Sequence, residues 1–212
     1  MSRVLSVTVV SLAMFAALGI RVSGDDTPWL DLRLLRHVPP RKEPDRLSRL
    51  CEAFVGAGIV FGVILVLAAF LWLIVERKWR PAFFWCTTFA GVAALDLALK
   101  PIFERPAIND STDKYSFPSG NAMASMALLV AAGTLVSSGR ARRLILIVGG
   151  GIVLAYGGAL VYLSWHFPTD VLAGWLLSLA WVSFLGLTIR PNGVLPPVGQ
   201  AHALAPPMVG RD

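Results

Sequence analysis

Cysteine is nearly missing from this chain. Cys51 and Cys86 are the only two in 212 residues, and both lie at or inside apolar segments with no metal-ligand spacing around them. That excludes a disulfide framework and a zinc site, leaving the pair as small apolar packing residues. Charge is scarce too: 15% of residues are charged against 56% hydrophobic, with mean hydropathy +0.67. A soluble domain carries about 25% charge, so the bilayer is the expected solvent. Acidic residues are fewer than basic ones, 13 against 19, which sets the net charge at +6 and the pI near 9.9. The basic residues sit between apolar runs and form no aromatic-laced stripe. Helix orientation and lipid headgroups therefore account for them, and no nucleic acid is expected as a partner. No fixed-period repeat occurs, and no length remains for a second domain once six crossings have each used about 20 apolar residues.

The first apolar run, Val4 to Ile20, follows Met1-Ser2-Arg3. It is long enough to span, so residues 1–20 are read as an uncleaved first helix; the small residues Val22-Ser23-Gly24 keep a signal peptide as the alternative. Residues 21–50 form a polar, proline-containing connector. Its Trp29, Leu30, Leu32, Leu34 and Leu35 fit an interfacial helix, with a solvated linker as the other reading. Five spans follow, at about 52–75, 82–99, 121–137, 144–164 and 170–189, within a core of residues 51–190. The fold class is thus all-α, a six-helix transmembrane bundle. The connectors GluArgLysTrpArg at 76–80 and GlyArgAlaArgArg at 139–143 are basic, as cytoplasmic loops are. On that orientation both chain ends lie inside, the 191–212 segment is a flexible cytoplasmic tail, and the loop 100–118 and the turn at His166 emerge on the non-cytoplasmic side. The connector shares that side despite its seven Arg and Lys residues; the charge rule holds best for short loops. A multi-pass protein of an inner or plasma membrane is expected.

Three polar clusters gather on that predicted side. Lys100 follows an apolar helix and precedes Pro101-Ile102-Phe103-Glu104-Arg105-Pro106, so two cations border a surface loop. Paired cations can clamp a phosphate, although Lys and Arg also flank spans as interface anchors. Asp96, one turn earlier, is a plausible local partner for Lys100. In the second cluster, Ser116-Phe117-Pro118-Ser119-Gly120-Asn121 precedes a helix. Exposed backbone N–H groups and a hydroxyl there make an anion site, or an ordinary serine cap. The third, Ser164-Trp165-His166-Phe167-Pro168-Thr169-Asp170, lies between two spans. An aspartate four residues after a histidine can hold one tautomer and leave the other nitrogen as nucleophile or base. Cations, an anion-binding helix start and an activated histidine together specify phosphoryl transfer.

The ordered set LysProIlePheGluArgPro, PheProSerGly and HisPheProThrAspValLeuAlaGlyTrp, over about 100–175, resembles the three-part signature of the PAP2, or type 2 phosphatidic acid phosphatase, superfamily. The resemblance implies a phosphatase that uses no metal or other cofactor. His166 would be the nucleophile, forming a phosphohistidine, and Asp170 its orienter. Lys100, Ser119, the Gly120 amide and Asn121 would hold the phosphate, with Arg105 assisting. The substrate implied is a membrane lipid phosphate or diphosphate, hydrolysed at the non-cytoplasmic face.

Three positions depart from that signature. Arg105-Pro106 comes two residues early, Ala107-Ile108 standing where the family has Arg-Pro. Asn121 occupies the position of the histidine that protonates the leaving oxygen; it cannot give up a proton, and general-acid help of roughly 10²- to 10⁴-fold is missing. Ala159-Leu160 replaces a Ser-Arg pair, removing a phosphate-binding cation. Glu104, Asp110 and Asp113 are the loop carboxyls available as substitutes. A second hypothesis is therefore a catalytically silent protein of the same fold that binds lipid phosphate or a membrane partner. A transporter fits less well, because the spans carry few midplane charges or helix breaks.

Overall fold

Three helix starts in this chain are set by short polar side chains that take up backbone N–H groups the first turn leaves open. Asp45 accepts from the Ser48 N–H at 2.7 Å, Ser119 from Ala122 at 3.4 Å, and Ser138 from Ala141 at 3.5 Å. The computed structural model describes residues 2–24, 27–36, 38, 45–108, 114–136 and 138–189, and among these the regular structure is helical. The helices are α1 (Ser2–Val22), α2 (Trp29–Leu35), α3 (Arg46–Val75), α4 (Trp79–Phe103), α5 (Gly120–Leu135), α6 (Gly139–Tyr162) and α7 (Pro168–Ile189).

Five of them, α1, α3, α4, α6 and α7, are long and apolar enough to cross a membrane, and α5 is a shorter apolar helix of 16 residues. The chain is an integral membrane protein built as an all-α bundle. The expected count of six spans corresponds to these five plus α5. The 191–212 tail lies outside the described residues, as do Asp110 and Asp113.

Several predicted boundaries move, each for a local reason. The Asp45 cap starts α3 six residues before the predicted position 52. The Ser138 cap starts α6 at Gly139, so the basic residues 139–143 are its first turns and not a loop. Lys100 likewise belongs to α4 and not to the loop after it. Pro101 sits inside the helix, tolerated because only one turn follows and few backbone bonds are lost. Glu104 then ends α4 in the left-handed region, φ 47°, its N–H donating to the Lys100 carbonyl at 3.0 Å. Pro168 opens α7, where a missing N–H matters least.

Lipid tails offer no hydrophobic drive for helix association, so close packing and interhelical hydrogen bonds hold such bundles. Trp181 Nε1 donates to the Thr88 carbonyl (3.2 Å), Trp85 Nε1 to Val66 (2.9 Å) and Ser178 Oγ to Met123 (2.8 Å). Gly91 makes room for the Trp181 indole, and Gly174 lets α7 meet α5, since a Cβ there would lie 2.6 Å from the Ser119 carbonyl oxygen. Helix α1 packs chiefly on α7. Its Phe15 joins Phe103 and Phe117 in an aromatic cluster with centroids 4.7 to 6.0 Å apart. That cluster lies directly beneath the loops in which the polar residues gather.

Candidate active site

Four chain segments converge at one end of the bundle: α2, the end of α4 with the loop after it, the start of α5, and the turn into α7. Phe117 and Met123 are fully buried in the core, and between them Ser119 is fully buried as well. Its N–H donates to the Asp170 carbonyl at 3.1 Å, tying the second cluster to the third. The Ser116 N–H donates to the Arg105 carbonyl at 2.9 Å, tying the second to the first. The three motifs thus meet although 50 to 65 residues separate the third from its partners in the first two.

His166 is buried, 7% exposed. Its Nδ1 lies 3.2 Å from the Ser116 carbonyl oxygen and 3.8 Å from Asp170 Oδ2. A carbonyl only accepts, so Nδ1 is the protonated nitrogen of the neutral ring and Nε2 carries the lone pair. The nearer tautomer-fixing group is therefore a backbone carbonyl. Asp170, expected to orient the histidine, stands beyond hydrogen-bonding distance and acts on the ring through its charge. One Asp170 oxygen accepts from the Phe167 N–H at 3.0 Å, closing the turn that presents His166.

Asp170's other oxygen pairs with Arg105 Nη1. Expected beside the phosphate, the Arg105 guanidinium is 6% exposed and is held by protein groups. Nη1 also donates to Thr169 Oγ1 at 2.7 Å, Nη2 donates to Asp31 Oδ2 at 2.6 Å, and the Phe167 ring lies 3.8 Å beneath it. Asp31, fully buried in α2, further accepts from the Thr169 N–H at 2.9 Å and the Thr169 hydroxyl at 2.6 Å. Asp31 was not singled out from the sequence. A lone acid within TrpLeuAspLeuArgLeuLeu signals a buried partner, but that partner lies 74 residues away.

Lys100 Nζ stands 3.4 Å from Asp96 Oδ2, the one-turn pairing the sequence made plausible. The Asp96 carboxylate reaches the first residue of α5: a Cβ on Gly120 would sit 2.7 Å from Oδ1. The lysine, the Gly120 backbone and the half-buried Asn121 are therefore neighbours at one helix N-terminus, the end that favours anions. Ser119 Oγ accepts from the Ala122 N–H as the helix cap. Ala159 and Leu160, which stand where a cation was missing, are buried in an apolar cluster with Val55, Ala122 and Leu163. Glu104 is exposed, 3.4 Å from the Tyr115 hydroxyl.

Residues 96–192 match the family model described as PAP2 superfamily. An undecaprenyl-diphosphatase from Sulfolobus acidocaldarius is 36% identical over 88 residues, 41% of this chain; the match spans 39% of that relative's length. A transmembrane PAP2-type phosphatidylglycerolphosphate phosphatase from Bacillus subtilis has a similar fold. Its crystal structure aligns with a TM-score of 0.73 over 89% of this chain and 98% of that one, at 23% identity.

Proposed function

Since residues 96–192 match the PAP2 superfamily model, we propose that this membrane protein is a phosphatase that hydrolyses a lipid phosphate or diphosphate through a phosphohistidine on His166. The observation that carries the reading is the His166 ring. Its Nδ1–H is committed to the Ser116 carbonyl, and Nε2 is left to attack, at the same end of the bundle as the Lys100–Gly120 anion site.

In the first step Nε2 bonds to phosphorus as the bond from phosphorus to the lipid oxygen breaks. The leaving oxygen keeps that electron pair. Lys100 and the α5 N-terminus, with Ser119, Gly120 and Asn121, stabilise the charge spread over the phosphoryl oxygens. Water then attacks the phosphohistidine, releasing phosphate and returning the lone pair to Nε2. The positive ring formed in between is stabilised by Asp170, 3.8 Å away. Because Asn121 donates no proton, the site favours a leaving group that needs none. The named relatives act on undecaprenyl diphosphate and on phosphatidylglycerolphosphate, and of those two chemistries a diphosphate depends less on a general acid. The basic residues Arg77, Lys78 and Arg80 with Arg140, Arg142 and Arg143, at the opposite end of the bundle, support a site on the non-cytoplasmic face by the positive-inside rule.

The test is phosphate release from lipid mono- and diphosphates by detergent-purified protein with chelator present. Wild type should release phosphate and His166→Ala should not. Folded wild type that releases no more than the mutant on any substrate rejects the phosphatase reading. It would leave the silent lipid-phosphate binder, which Asn121 and the apolar burial of Ala159 and Leu160 favour.

A further inference from the structure

Among the described residues, Asp31 is the one fully buried carboxylate around the site that the proposed reaction leaves without a part. We propose that it is a positioning residue for phosphoryl transfer: by pairing with Arg105 and Thr169 it keeps a net negative charge beside His166. This rests on the phosphatase reading.

The argument begins with the charges. Arg105 is paired with Asp170, the carboxylate whose field stabilises the phosphorylated imidazole. Taken alone, that buried pair is neutral and its field at His166 is largely cancelled. Asp31 supplies a second carboxylate to the same guanidinium, 2.6 Å from Nη2. The cluster Asp31, Arg105 and Asp170 then carries one net negative charge, and it is buried, where screening is weak. The Thr169 backbone N–H and hydroxyl both donate to Asp31. Thr169 neighbours Asp170 in the first turn of α7, so the same carboxylate also sets where that turn, and hence the Phe167–Asp170 loop behind His166, comes to rest. Arg105 is spent on this cluster and so works through Asp170, not on the phosphate.

Among the described residues, the titratable and charged groups at this end of the bundle are Asp31 from α2, Arg105 and Glu104 from the end of α4 and the loop after it, Asp170 from α7 and the Lys100–Asp96 pair of α4. A nucleophile must be unprotonated, so the acid limb of kcat/KM follows the His166 imidazole. Removing a negative charge beside the ring disfavours its cation and moves that limb to lower pH; removing the positive charge does the reverse.

The experiment compares the acid limb and the kcat–KM split for wild type, Asp31→Asn, Arg105→Gln and the double variant, in one detergent and on one lipid diphosphate. Asp31→Asn should move the limb to lower pH and lower kcat on the order of 10²-fold, with KM nearly unchanged. Arg105→Gln should move the limb up. The double variant restores a net charge of minus one and should return the limb to its wild-type position. Should Asp31→Asn fail to fold, Arg105→Gln against the double variant carries the same comparison. Limbs that coincide in all variants, or a double variant displaced further than either single one, overturn the proposal while the phosphatase reading stands. No turnover by wild type overturns both.

Discussion

At the scale of single residues, the chemistry turns on which proton sits where. The Ser116 carbonyl assigns the Nδ1 proton of His166, and a backbone group does this without depending on any side chain. Asn121, at the start of α5, is where the signature would put an acid. Asn121→His should therefore raise turnover of a lipid monophosphate, whose alkoxide leaving group needs a proton, by about 10- to 100-fold, within the usual range for general-acid help. A diphosphate should gain little. Initial rates on the two substrate types check this, and equal gains on both would mean that the residue acts on binding and not on protonation. That the three sequence motifs would meet was legible from their polar residues at the span ends. The direction of Arg105 was not, because the groups that capture it come from α2 and α7, 74 and 64 to 65 positions away.

At the scale of elements, helix starts and helix contacts decide how well the site is held. The Asp45 side chain caps α3 and its second oxygen accepts from the Tyr162 hydroxyl at 3.2 Å, joining α3 to the end of α6. Asp45→Ala should lower thermal stability in detergent by about 1 kcal/mol, the usual worth of a helix cap. The α5–α7 contact is closer. Gly174→Ala would push a methyl against the Ser119 carbonyl and Ala122 Cβ, which would stand 2.6 and 3.1 Å away. Since a backbone atom cannot step aside as a side-chain end does, the substitution should destabilise by about 1–3 kcal/mol. It should also depress activity beyond the loss of folded protein, because Ser119 heads the anion site. A melting curve beside a specific-activity measurement separates the two effects. Element ends were the least legible feature: the span expected to end at about 99 continues as α4 to Phe103, and the basic 139–143 stretch reads as a loop yet is helical.

At the scale of the whole molecule, the charge distribution makes a testable prediction of sidedness. In a background with Cys51 and Cys86 replaced by Ser, Glu104→Cys should react with a membrane-impermeant thiol reagent added outside intact cells. Arg140→Cys should react only after permeabilisation, and the reverse pattern would place the site on the cytoplasmic face. Both positions are exposed and at opposite ends of the bundle. Amino-acid composition and run length by themselves determined the bilayer solvent, the all-α bundle and the rough position of each apolar span, because transfer of some 20 apolar residues into lipid overrides local propensity. Polar residues at the span ends marked Lys100, Ser119 and His166 as the proposed site, since each is positioned by the helix end it belongs to or adjoins. Only the tertiary structure decided that Asp31 belongs to the site, that Arg105 faces carboxylates and that a backbone carbonyl holds the His166 ring. Those facts depend on how α2, α5 and α7 dock, and a buried charge takes its partner from whatever element packing brings within hydrogen-bonding distance, not from its neighbours in the chain.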